Sequence, residues 1–447
     1  MFQDIEEKLA AFIEQQLHSK FSIEQKVSLE QPKQSSFGDL AIPVAFQLAR
    51  QLRRAPRQIA EELAHGLKEV EGIASVEIAG NGYINVRLDR GEYAASLLNP
   101  DAVQTPEAGV SQKTVVEHTN INPNKAAHIG HLRNAILGDT FVRMLRKRGR
   151  SVEVQNYIDN TGVQVADVVV AFHFLEKKPA AEVRIMIHDP ETRFDYVCWD
   201  LYTRVSAYYK EHPEALAWRA ETLHEIEAGK GEIAELGHMV ADAIVNAHIR
   251  TMYRLGIAYD VLPRESEILH LKFWASAFEL LKQRHAIYFE EQGKNKGCWV
   301  MPSSAFREGV ETGAASEEES EDDSKVIVRS NGTVTYVGKD IAYQLWKFGL
   351  LGKDFYYRLW SCYPDGHQLW VTTSEPADPN HPHFGRAAKV FNVIDSRQSY
   401  LQDVVTAGLR ALGFEEQAGA SVHFSYEMVA LSPRTCLEMG IELSDDD

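Results

Sequence analysis

From Lys113 onward the chain alternates between strand and helix patterns, and this alternation limits the possible fold more than any other feature. Val115-Val116-Glu117 reads as a short strand. Residues 130–144 read as a helix with Leu132, Ile136, Leu137 and Phe141 on one side. A second strand covers residues 152–157 and a second helix 163–174. Strand, helix, strand, helix implies a parallel sheet with crossover connections, so the expected class is α/β.

Residues from about 178 to 285 are mostly helical in pattern and read as an insertion into that sheet domain. The sheet pattern then resumes at Val326-Ile327-Val328 and runs through residues 390–394. Residues 1–105 read as a separate α+β unit. Ile5, Leu9, Phe12, Ile13 and Leu17 form a stripe at helical spacing. Helices are expected at 42–52 and 58–67. Strands at 74–78 and 83–88 flank Gly80-Asn81-Gly82, a hairpin signal. Residues 99–109 are a linker candidate, leaving 106–447 for the sheet domain. The acidic run within about 311–325 reads as a disordered loop.

No apolar run approaches a membrane span, and the acidic, amphipathic start carries no export signal. Cys198, Cys298, Cys362 and Cys436 are far apart, which argues against a zinc site or a disulfide framework. His367, His381 and His383 lack further ligands at a standard spacing, so no metal site is expected. A reducing cytoplasm is the natural compartment. The formal net charge of -17 opposes a nucleic-acid partner on average, yet it hides local patches such as Arg50, Arg53, Arg54 and Arg57.

The chemistry centres on His128-Ile129-Gly130-His131, between a strand and a helix start. Ligands of open parallel sheets bind there, beyond the carboxyl ends of the strands. A helix N-terminus offers free N–H groups and a positive dipole end to phosphate. Gly130 allows close approach to the backbone. His128 and His131 can donate hydrogen bonds to a phosphate gaining charge.

The run Glu117-His118-Thr119-Asn120-Ile121-Asn122-Pro123-Asn124-Lys125-Ala126-Ala127-His128-Ile129-Gly130-His131-Leu132-Arg133-Asn134 resembles the HIGH signature of class I aminoacyl-tRNA synthetases, in the form used by arginyl-tRNA synthetases. Residues 35–41 and 80–85 are similar to that family's N-terminal additional domain, which contacts tRNA. Residues 156–164 and 329–333 are similar to its catalytic domain. The resemblance implies a Rossmann-like nucleotide-binding fold and ATP-dependent activation of L-arginine, with Mg2+ sharing the phosphate charge. The arginyl group then passes to tRNA(Arg). It implies ATP contacts at His128, Gly130, His131 and Asn120, and arginine contacts at Glu117, Asn122, Tyr336, Asp340 and Gln398.

The residues agree in part. Tyr336 and Asp340 are four apart and share a helix face. A carboxylate binds a guanidinium through two parallel hydrogen bonds, a geometry an ammonium lacks. The family's usual arginine before the aspartate is Lys339 here.

The second class I signature, a KMSKS loop after the last strand, has no counterpart in residues 424–447, and no anticodon-binding bundle follows. The resemblance offers Lys125, three residues before His128, as the compensating lysine. The chain is therefore expected to be an N-terminal fragment, by truncation or a split gene, weakly active or inactive alone. It is expected to act as a monomer, with a separate C-terminal polypeptide as an open further partner. Two other readings stay open: a tRNA- or partner-binding subunit without catalysis, and another HxGH adenylyl-transferring enzyme.

Overall fold

A computed structural model describes residues 2–32, 34–98, 112–302, 325–330, 334–429 and 431–440. The chain divides into two compact units, Met1–Glu107 and Ala108–Asp447. The acidic run expected to be a loop lies outside the described residues, except Lys325, which opens a strand.

In the first unit a helix over Phe2–Phe21 buries Ile5, Leu9, Ile13 and Leu17. It shares its core with an antiparallel sheet of β1 (Leu40–Ile42), β2 (Ile73–Ala79) and β3 (Tyr83–Leu88), in the order β1-β3-β2. The helix expected to begin at Ile42 begins at Val44, because Leu40–Ile42 pairs with β3. The next helix covers Pro56–Leu63, and a short 3-10 turn over Leu67–Glu69 follows Gly66, whose φ of 84° breaks the helix.

The second unit is built on a seven-stranded sheet. Its strands are β4 (Thr114–Glu117), β5 (Val152–Gln155), β6 (Val261–Leu262), β10 (Tyr356–Cys362), β11 (Gln368–Thr373), β12 (Lys389–Asp395) and β13 (Ser421–Tyr426). The order is β10-β11-β6-β5-β4-β12-β13, and every pairing is parallel except β10 with β11. The order reverses direction at β4, which has β5 on one side and β12 on the other. Such a switch point leaves a crevice beyond the carboxyl ends of the two central strands.

Both sheet faces are covered, as a parallel sheet requires. Val115, Val261 and Val390 face one layer, with Ile341, Phe273 and Val404 from its helices. Val116, Val154, Leu262 and Val393 face the other, with Ala135, Val142 and Val245.

Two expectations need correction. Val326–Val328 does not resume the main sheet; as part of β9 (Lys325–Val328) it joins β7 (Tyr288–Phe289) and β8 (Trp299–Met301) in a separate three-stranded sheet. The main sheet instead gains β6, from within the 178–285 stretch read as an insertion. Two residues are too short to show a period, so the helices around β6 hid it.

The inserted helices Phe194–Glu211, Leu216–Ala228 and Glu232–Arg254 pack on the Val163–Val170 helix, and Ala180–His188 packs on Glu232–Arg254. A part-buried ion pair ties the Leu216–Ala228 helix to Val163–Val170, with Arg219 donating to both oxygens of the buried Asp167 at 2.7 and 3.0 Å. Among the described residues no helix is long and apolar enough to cross a membrane.

Candidate active site

A cleft of about 720 Å³ opens at the switch point. It is lined from β4 and its loop by Glu117, Asn120, Asn122, His128, Gly130 and His131, and from the loop after β5 by Tyr157 and Asp159. Asp340, Tyr343, Gln344 and Lys347 line it from one helix, and Asn392, Gln398 and Tyr426 from the β12 and β13 side. Of the ten residues singled out from sequence, Lys125 and Tyr336 are not among the lining residues. The Tyr336 side chain lies outside what the structure describes, although its backbone opens the Tyr336–Lys347 helix.

His128 is the N-cap of the Ile129–Lys147 helix. Its Nδ1 accepts from the Gly130 N–H at 3.2 Å, and the Nδ1 of His131 accepts from the His128 N–H at 3.2 Å. The rings stack with centroids 3.7 Å apart. A β-carbon on Gly130 would sit 3.2 Å from the folded-back His128 ring, so glycine permits this cap. Because each Nδ1 accepts, this bonding assigns the proton of each neutral ring to Nε2. Burial, aided by His128, His248 and Lys125, holds His131 down at about 3. Burial and then Lys125 lower His128. Both are neutral N–H donors at pH 7.

Lys125 does not enter the cleft. Its Nζ sits 5.2 Å from the centre of the Tyr202 ring, and burial lowers its pKa. The buried His248 donates from Nε2 to the Lys125 carbonyl at 2.7 Å and ties this loop to the Glu232–Arg254 helix. Asn120 lines the cleft, but its amide is committed: Nδ2 donates to Glu117 Oε1 at 2.8 Å and Oδ1 accepts from the Tyr157 N–H at 2.8 Å.

Much of the remaining lining is acidic. Asp340 shares a helix face with Tyr343, Gln344 and Lys347, while Val337, Ile341, Ala342 and Leu345 of the same helix enter the core. Glu117 pairs with the buried Lys347 at 2.7 Å, and Glu265 pairs with Lys339 at 2.6 Å. The Asp340 side chain has neither an ion pair nor a hydrogen bond among the described residues. Burial, with Glu265 and Glu117 adding to it, pushes Asp340 up to about 8. Burial, with Glu265 second, pushes Asp159 up to about 7. Of the acidic groups lining the cleft, Glu117, Glu265 and Asp395 pair with Lys347, Lys339 and Arg397, while Asp340 and Asp159 have no ion pair among the described residues. Gln398 is exposed at the mouth, and Asn122 lies beside the β4 turn.

Sequence reasoning missed Lys347, Glu265, Asp159 and Asn392. The signal for Lys347 was present: positions 340, 344 and 347 carry polar residues at helical spacing on a helix whose other face is apolar. Glu265 and Asp159 follow short strands, where spacing alone says little.

Comparison with known proteins gives matches along most of the chain. The family model for the arginyl tRNA synthetase N terminal domain matches residues 3–88, and that for the class I (R) tRNA synthetase catalytic domain matches residues 94–348. An arginine–tRNA ligase of Thermococcus kodakarensis is 37% identical over 415 residues, covering 90% of this chain and 62% of the relative. One from Deinococcus radiodurans is 34% identical over 445 residues, covering 99% and 68%. The solved Thermus thermophilus arginyl-tRNA synthetase superposes with a TM-score of 0.71 at 31% identity, covering 94% of this chain and 65% of that one. The chain therefore spans less than two thirds of the length of the Thermococcus relative.

Proposed function

The chain belongs to the arginyl-tRNA synthetase family of class I synthetases, and from that premise we propose that its cleft binds L-arginine and ATP, forms arginyl-adenylate and serves the transfer of the arginyl group to tRNA(Arg). The observation that carries the reading is Asp340, a carboxyl group without an ion pair or side-chain hydrogen bond among the described residues, lining the same cleft as a neutral histidine pair at a helix start. A guanidinium is always charged and meets a carboxylate through two parallel hydrogen bonds. An ATP phosphate suits the helix start.

In this reading the arginine carboxylate attacks the α-phosphorus in line and pyrophosphate leaves. The acyl group then passes to a ribose hydroxyl at the 3′ end of tRNA, with no covalent enzyme intermediate. The Nε2–H groups of His128 and His131 stabilise the charge that develops on phosphate oxygens. Asn122 and Glu117 face the α-amino end, Gln398 adds a contact at the mouth, and Asn120 acts by orienting Glu117. Lys125 reaches the phosphates only after leaving the Tyr202 ring by a rotamer change. Magnesium enters with the triphosphate, held by phosphate oxygens and water. The described residues contain no group of three His, Cys, Asp or Glu arranged to hold it. The first unit, with Arg50 and Arg53 exposed, is the tRNA-facing part.

An amino-acid panel in ATP–pyrophosphate exchange, run with and without tRNA, tests the reading. Exchange driven by arginine alone is the expected result. Exchange driven equally by lysine or another amino acid contradicts it.

A further inference from the structure

The pairing of β4 with β12 ends at Glu117 opposite Asn392. Beyond that rung the strands part and the cleft begins. The next backbone groups at the fork, the Thr119 N–H and the Val393 carbonyl, are joined through the side chain of Asn134. Its Oδ1 accepts from Thr119 N–H at 2.6 Å, and its Nδ2 donates to the Val393 carbonyl at 2.8 Å and to the Tyr426 hydroxyl at 2.9 Å. A buried side-chain amide thus stands where a peptide group would stand in an unbroken ladder.

The turn it holds is unusual. Thr119 has a φ of 77° and Asn120 of 44°, a left-handed pair that begins with a β-branched residue. Outliers of this kind persist only where their surroundings over-determine them, and they gather at functional sites. Here Thr119 is also gripped by the Tyr259 hydroxyl at 2.8 Å and by His118 Nδ1 at 2.9 Å. Asn120, placed by that turn, fixes Glu117 Oε1.

We propose that Asn134 is a positioning residue for the amino-acid end of the cleft. Its amide splices the parted ends of β4 and β12, holds the Thr119–Asn120 turn in its left-handed form, and through Asn120 aims the Glu117 carboxylate. The His128–His131 cap holds itself through its own two hydrogen bonds, so Asn134 governs the amino-acid end more than the phosphate end.

This inference rests on the arginine reading of the site for one of its two tests. The variants are Asn134→Leu, which keeps the branched shape, and Asn134→Ala; if one fails to fold, the other is read alone. Loss of buried hydrogen bonds at the fork is expected to weaken arginine binding about tenfold or more, with ATP affinity changed less than about threefold. Amide hydrogen exchange is the second readout and needs no substrate. Exchange over residues 117–122 is expected to accelerate at least about tenfold, while the Val163–Val170 helix is unchanged. Equal losses of arginine and ATP affinity, or unchanged exchange at residues 117–122, overturn the proposal. A parent protein that binds no arginine retires the arginine reading, and the exchange experiment then decides the role of Asn134 on its own.

Discussion

Asp340 is a carboxyl group whose charge is disfavoured until a cation arrives. With its pKa raised to about 8, the free group is protonated below that pH, and binding a guanidinium requires it to ionise. Arginine affinity should therefore climb with pH up to about 8 and level off above it. Calorimetry near pH 7 in buffers of different ionisation enthalpy should show proton release on binding. The same shift sets a stability trend. A carboxyl raised in the folded state costs stability as pH rises from its unfolded value through 8. Asp340→Asn should leave the Tm unchanged near pH 4 and raise it near pH 9, while losing arginine binding. The histidine pair carries a different test. Replacing His131 with alanine removes a donor aimed at developing charge, and arginyl-adenylate formation should fall roughly 100-fold or more, read by single-turnover kinetics.

The Ile129–Lys147 helix shows why some packing resists sequence reading. Its apolar residues suggest a buried face at Leu132, Ile136, Leu137 and Phe141, yet the buried stripe is Asn134, Ala135, Gly138 and Val142, and Ile136 is 47% exposed. The helix lies so close to β4 that small residues mark where the two meet. A β-carbon on Gly138 would fall 2.2 Å from the His118 ring. Gly138→Ala should therefore destabilise by about 1–3 kcal/mol in urea denaturation, although alanine is the better helix former. The strand–loop–helix unit around residues 115–144 and the second strand were legible, because periodicity is local. The two-residue β6, the carboxylates after short strands and the Asn134 bridge were not. Each depends on at least one partner distant in the chain, such as Val393 for Asn134 and Lys339 for Glu265.

At the scale of the molecule the two units carry different parts of the proposed function. In the first unit Arg54 pairs with Glu62 at 2.8 Å and Arg57 with Glu61 at 3.1 Å, so the cluster read from sequence is half neutralised. Arg50 and Arg53 remain exposed. Reversing both to glutamate should weaken tRNA binding and lower the slope of log affinity against log salt by roughly one unit for each phosphate no longer neutralised; equal slopes in parent and variant would remove the patch from the interface. In the second unit the switch point between β4 and β12 brings distant segments into one cleft, and the proposed function requires that cleft to choose a guanidinium. Titration calorimetry of arginine, lysine and the uncharged analogue citrulline against the whole chain at pH 8 tests this most directly. Arginine should bind, and lysine and citrulline should bind at least about 100-fold more weakly, the scale of an unpaired buried carboxylate. Lysine or citrulline binding as tightly as arginine, or no arginine binding at all, would contradict the proposed function.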